Sequence, residues 1–190
     1  MSSRGYFAIG VEAISKPMNL GNICRTAHSF GASFAFTVNA QHKKRDVHKA
    51  DTSGSMNHMP FYEFPDVASM ALPKGCQLVA VELTEDSVDL PSFRHPTNAA
   101  YILGPENGVI SPELMAQCDH VIKIPMKFCV NVGIAAALVM YDRLICLGKH
   151  APRPVRAGGP TEEIPDHFRG GSYYINGEKH WRKPEGLEKK

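Results

Sequence analysis

The sequence predicts an α/β fold, a parallel sheet with helices on both faces. Two observations carry that prediction. Apolar runs of strand length alternate along the chain with segments of helical spacing. Two of those runs end in loops of special composition, and adjacent strand-end loops form the usual ligand position at the carboxyl edge of such a sheet.

The first apolar run, Tyr6 to Val11, reads as a buried strand, and Ser15 to Met18 as the loop after it. In the segment Asn19 to Gly31, Leu20, Ile23, Cys24, Ala27 and Phe30 recur at helical spacing, with Asn19 expected as N-cap and Gly31 as the stop. At about 100° per residue Arg25 lies opposite the apolar stripe. It is either a solvated arginine or a residue available for chemistry. Ser33 to Val38 is the next strand. The run Gln41 to Lys49 then gathers Lys43, Lys44, Arg45 and Lys49 against one acid, Asp46. Such a run is either a solvated loop or a phosphate-backbone contact beside a strand end. Residues 51 to 58 are polar and contain glycine, as in a loop that orders on a substrate. Phe64 to Leu72 is expected to be a short helix, Gln77 to Leu83 a strand, and residues 84 to 96 a polar connection.

The most informative stretch is 101 to 147. The strand Ala99 to Leu103 stops at Gly104-Pro105-Glu106-Asn107-Gly108, where two glycines and a proline let the backbone turn and approach a ligand around a carboxylate. The strand Val121 to Pro125 leads into Met126-Lys127-Phe128-Cys129-Val130-Asn131. From Gly133 the spacing turns helical, with Ile134, Leu138, Tyr141 and Ile145 on one face.

Composition limits what this pocket can belong to. A chain of 190 residues, 43% hydrophobic and 21% charged, can bury one good core. A net charge of +2 argues neither for nor against nucleic acid. The five cysteines contain no C-x-x-C pair, so reduced thiols, no zinc site and a cytoplasmic protein are expected. No apolar segment has the length and flanks of a signal peptide or membrane span. Residues 151 to 190 hold 5 of the 14 prolines and 6 of the 16 glycines, a density that predicts an extended, poorly packed tail after a domain of residues 1 to 150. Phe168, Tyr173, Tyr174 and Trp181 are interleaved there with Arg169, Lys179, Arg182 and Lys183. That mixture suits stacking on bases beside phosphates, and equally suits anchoring on the domain or a partner subunit.

Three segments in order, Asn19 to Ala27, Leu103 to Ile110, and Ile124-Pro125-Met126 through Asn131-Val132 into an alanine-rich helix, resemble the SpoU/TrmH branch of the SPOUT RNA methyltransferases. The resemblance covers roughly residues 6 to 148. It implies S-adenosylmethionine as cofactor, methyl transfer to a ribose 2′-hydroxyl of RNA, a C-terminal trefoil knot and a homodimer with sites near the subunit interface. Leu83, Gly104, Ile124, Met126, Cys129 and Val130 would line the cofactor. Arg25 matches the family's essential arginine, Asn19 supports its helix, and Glu106 and Asn131 match the acid and amide of the later motifs. Lys43, Lys44 and Arg45 would join Arg25 on RNA. The chain departs from the family at Cys129-Val130-Asn131, where serine-leucine-asparagine is usual. Cysteine fits in place of serine but hydrogen-bonds more weakly, which bears on how Arg25 is activated. The resemblance implies tRNA ahead of rRNA; no metal is expected from the cysteine spacing, and no membrane because no segment reads as a span. A non-catalytic RNA-binding relative is the alternative, and retention of Arg25, Glu106 and Asn131 speaks against it.

Overall fold

The computed structural model describes residues 5–41, 54, 57–150, 153–154 and 157–158, with strands at 172–175 and 178–181. Contacts divide the chain into two units, Met1–Lys149 and His150–Lys190. In the first unit seven strands form one sheet: β1 (Tyr6–Glu12), β2 (Phe34–Val38), β3 (Phe61–Phe64), β4 (Gln77–Val81), β5 (Val88–Asp89), β6 (Asn98–Leu103) and β7 (His120–Lys123). Their order is β3-β2-β1-β6-β4-β7-β5. Every pairing is parallel. β1 and β6 are buried on both sides along almost their whole length, as continuous apolar runs at the centre of a parallel sheet require.

Two cores follow from the pleat. On one face Ile9, Val11, Val79, Tyr101 and Ile122 pack against helices α1 (Pro17–Ser29) and α3 (Val132–Leu147), through Leu20, Ile23, Cys24, Ala27, Ala136, Val139 and Met140. On the other face Ala8, Phe36, Val38, Ala80 and Ile102 are covered by Leu114 of the four-residue helix α2 (Pro112–Met115) and by Val67 and Ile110. This second layer is therefore largely irregular chain among the described residues. Gly10 matters to its packing, because a Cβ there would lie 2.3 Å from the Phe36 ring.

Several expectations change. Asn19 is not the N-cap of α1; that position is Lys16, followed by Pro17 at the first helical site, where proline's fixed φ and missing N–H are favourable. Asn19 sits inside the first turn, buried. No helix spans 64 to 72. Phe64 ends β3, paired with Val38, and Ser69 N–H donates to Asp66 Oδ1 at 2.7 Å while Ser69 Oγ donates to Asp66 O. Such side-chain bonds offer the backbone a turn in place of a helix. α3 begins one residue earlier than expected, capped by Asn131, whose Oδ1 accepts from Gly133 N–H at 2.8 Å. Its buried residues are Ala136, Val139, Met140 and Arg143. Ile134, Leu138, Tyr141 and Ile145 share one face as expected, and that face is the outer one, 53%, 38%, 51% and 37% exposed.

The second unit is not simply extended. It contains an antiparallel pair, β8 (Ser172–Ile175) and β9 (Glu178–Trp181). The two strands are separated in sequence by Asn176-Gly177, the dipeptide most characteristic of a two-residue hairpin connection.

Candidate active site

A cavity of about 290 Å³ opens where β4, β6 and β7 end. All six residues expected on the cofactor line it: Leu83 beyond β4, Gly104 beyond β6, Ile124 and Met126 beyond β7, and Cys129 and Val130 on the approach to α3. Asn19, Glu106 and Asn131 line it too. The sequence reading missed Lys16, Glu82 and Lys123. Glu82 and Lys123 lie at the carboxyl ends of β4 and β7, beside residues it did select, and Lys16 caps the start of α1, so edge position was the available signal.

The walls are held by carboxylates that accept from backbone. Glu106 reaches from the β6 loop to the start of α1: its Oε2 accepts from Ser15 N–H at 3.2 Å and Ser15 Oγ at 3.1 Å. Its Oε1 accepts from Lys16 N–H at 3.2 Å and Asn19 Nδ2 at 2.9 Å. Asn131 Nδ2 then donates to Asn19 Oδ1 at 3.0 Å. One hydrogen-bonded line thus runs from the β6 loop through α1 to the N-cap of α3. Two further acids hold the far side of the same loop, for Ile110 N–H donates to Glu82 Oε2 at 2.9 Å and Ser111 N–H to buried Glu12 Oε2 at 2.7 Å. Burial alone would raise the Glu106 carboxyl. The bonds from Asn19, Ser15, its own N–H and Lys16 outweigh burial and hold it below the ordinary carboxylate value.

Gly104 shapes the floor. A Cβ there would lie 3.2 Å from Ile110 N and 3.3 Å from Glu82 Oε2, so a larger residue would push these neighbours by a few tenths of an ångström at the floor of the cavity. With Leu83, Ile124, Val130 and Ala135 on the walls, the cavity combines apolar surface with exposed peptide groups. That set suits an adenosine-containing cofactor whose base and amino-acid part are held by main chain.

Arg25 is not brought into the cavity. It is exposed on α1, six residues beyond Asn19 and hence about 9 Å further along the axis. Lys43, Lys44 and Arg45 lie outside the described residues. Cys129 is exposed at the cavity. Among the described residues no group of His, Cys, Asp and Glu could hold a metal ion, and no helix is long and apolar enough to cross a membrane.

Residues 6–141 match the model of the SpoU rRNA Methylase family. Among curated relatives, the tRNA (guanosine(18)-2'-O)-methyltransferase of Thermus thermophilus is 30% identical over 139 residues, which are 70% of this chain and 71% of that protein. A mouse protein named tRNA (guanosine(18)-2'-O)-methyltransferase TARBP1 is 27% identical over 137 residues, 68% of this chain but only 9% of its own length. The chain is similar in fold to an AdoMet-bound rRNA methyltransferase from Sinorhizobium meliloti, with a TM-score of 0.66 at 23% identity, covering 77% of this chain and 58% of that one. The family match covers most of the chain and takes in every expected site residue, so this chain belongs to the SpoU methylase family.

Proposed function

We propose that this protein transfers a methyl group from S-adenosylmethionine to a ribose 2′-hydroxyl of RNA, tRNA ahead of rRNA. The observation that carries the reading is the cavity at three strand ends, walled by Leu83, Gly104, Ile124, Met126, Cys129 and Val130. Relatives named as tRNA 2'-O-methyltransferases support it. The cofactor supplies an already reactive methyl sulfonium, so what the protein must add is alignment and help with the hydroxyl proton.

The residues divide that work. Glu106, Asn19 and Asn131 are engaged with one another and act as positioning residues that hold the β6 loop and the two helix starts around the cavity. Arg25 grips the target phosphate and stabilises developing alkoxide charge, the roles that suit a planar, permanently charged guanidinium. Arg25 lies outside the cavity, while an exposed apolar strip of Met126, Val130, Ile134, Leu138, Tyr141 and Ile145 runs from its mouth along α3. A homodimer joined through that strip would bury it beside the sites.

Calorimetric titration with S-adenosylmethionine, paired with methyl transfer to unmodified tRNA, tests the reading. Wild type and Arg25→Ala bind the cofactor equally, and Arg25→Ala loses transfer by a factor of about 100 or more. Failure of the folded wild type to bind cofactor, alone or with RNA, overturns it. Sedimentation of Leu138→Glu tests the dimer: the variant sediments as a monomer where wild type is a dimer.

A further inference from the structure

The β8–β9 pair places the interleaved aromatics and cations in a definite order. Its register sets Ser172 opposite Trp181, Tyr173 opposite His180, Tyr174 opposite Lys179 and Ile175 opposite Glu178. Cross-strand partners share a face, and successive pairs alternate. One face therefore carries Tyr174, Lys179 and Trp181 with Ser172. The other carries Tyr173, Ile175, His180 and the only acid of the pair, Glu178. The first face combines two large aromatics with a cation and no acid, and the aromatic positions are diagonal neighbours across the pair, about 7–8 Å apart. Between 169 and 183 the sequence has four basic residues, Arg169, Lys179, Arg182 and Lys183, against Glu178 alone. A lone two-stranded pair is marginally stable in water, so an occupant that covers a face also stabilises the hairpin.

We propose that the Tyr174–Lys179–Trp181 face of the hairpin is a second RNA contact, which stacks unpaired bases on Tyr174 and Trp181 while Lys179 meets the phosphate backbone. The inference rests on the RNA substrate proposed above. RNA is favoured over a second copy of the chain by charge. The exposed strip of α3 is apolar and calls for an apolar occupant, whereas this face pairs aromatics with a cation, the composition of a single-strand stacking platform.

Trp181 is the only tryptophan in the chain, so its fluorescence reports on this face alone. In the full-length protein, titration with an unstructured oligouridylate and with tRNA is expected to quench Trp181, less so at higher salt. Tyr174→Ala and Lys179→Glu are each expected to weaken RNA binding about tenfold by filter binding, with cofactor affinity unchanged. Trp181 emission that stays constant at RNA concentrations saturating methyl transfer overturns the proposal and leaves the enzyme reading intact. So does acrylamide shielding that rises with protein concentration without RNA, which places the face against a second copy. Quenching by RNA without transfer to any RNA sinks the enzyme reading and keeps this contact.

Discussion

The two ends of the sheet are built from similar polar material and do opposite things. At the carboxyl end, Glu12, Glu82 and Glu106 hold loops through backbone N–H groups and leave an open cavity. At the amino end, Arg143 of α3 donates to the carbonyls of Tyr6, Pro96 and Thr97 and to Tyr101 Oη, with its guanidinium 5.2 Å from the Phe7 ring centre. His95 joins them, bonded to Tyr101 Oη at 2.6 Å and Asp142 Oδ2 at 2.9 Å. That end is closed: His95 is 3% and Arg143 4% exposed. Burial lowers the His95 pKa against the pull of Asp142, and pushes Tyr101 up to about 12 against the pull of Arg143. Where a network is centred on buried side chains it anchors a helix; where it terminates in a loop at the rim it shapes a site.

The largest break in that contrast is expected from Arg143→Met. It removes the donor that ties α3 to Tyr6 O, Pro96 O, Thr97 O and Tyr101 Oη and costs about 3 kcal/mol of stability in urea unfolding, while cofactor affinity well below the melting temperature changes less than threefold. Gly10→Ala tests packing between the ends and costs about 1–3 kcal/mol through overpacking against Phe36. Gly104→Ala should invert the pattern, costing under about 1 kcal/mol in stability but at least tenfold in cofactor affinity by calorimetry, because Ile110 must shift.

Acid separates the two ends more finely. The folded-state pKa of His95 is lowered, so the unfolded chain takes up its proton first. Stability should then fall as pH drops below about 6.5, and His95→Gln should flatten that slope in urea melts between pH 7.5 and 5.5. The folded-state pKa of Glu106 is lowered as well. Its stabilisation is whole above the ordinary carboxylate value of about 4.3 and is lost as pH falls through the depressed one. Glu106→Gln should leave the upper window unchanged, alter only the lower one, and reduce cofactor affinity several-fold.

Much of this was legible in the residues. The strands β1, β2, β4, β6 and β7, the stop at Gly31 and the glycine loop follow from runs and spacings, whereas the six residues expected on the cofactor came from the resemblance to the family, and the short β3 was missed. Side-chain turns at Asp66 and Ser69 defeated the helix expected there, because local hydrogen bonds compete with helical ones at no visible cost in apolar spacing. The tail's hairpin was hidden by its proline and glycine content, although Asn176-Gly177 was the signal that could have revealed it.

What the sequence determined by itself is local: which runs are strands, which loops can turn tightly, and which residue types stand at strand ends. Only the tertiary structure decided the roles of Asn19 and of α3. Asn19 looks like a cap from its spacing, yet it is a buried link between Glu106 and Asn131, partners 87 and 112 residues away. The stripe of Ile134, Leu138, Tyr141 and Ile145 has the period of a core face, and periodicity cannot say which side of an apolar helix meets the sheet. Small Ala136 and Val139 let α3 lie close to the strands beside Met140, and Arg143 finds its acceptors only there, so Ile134, Leu138, Tyr141 and Ile145 are left outside for another surface.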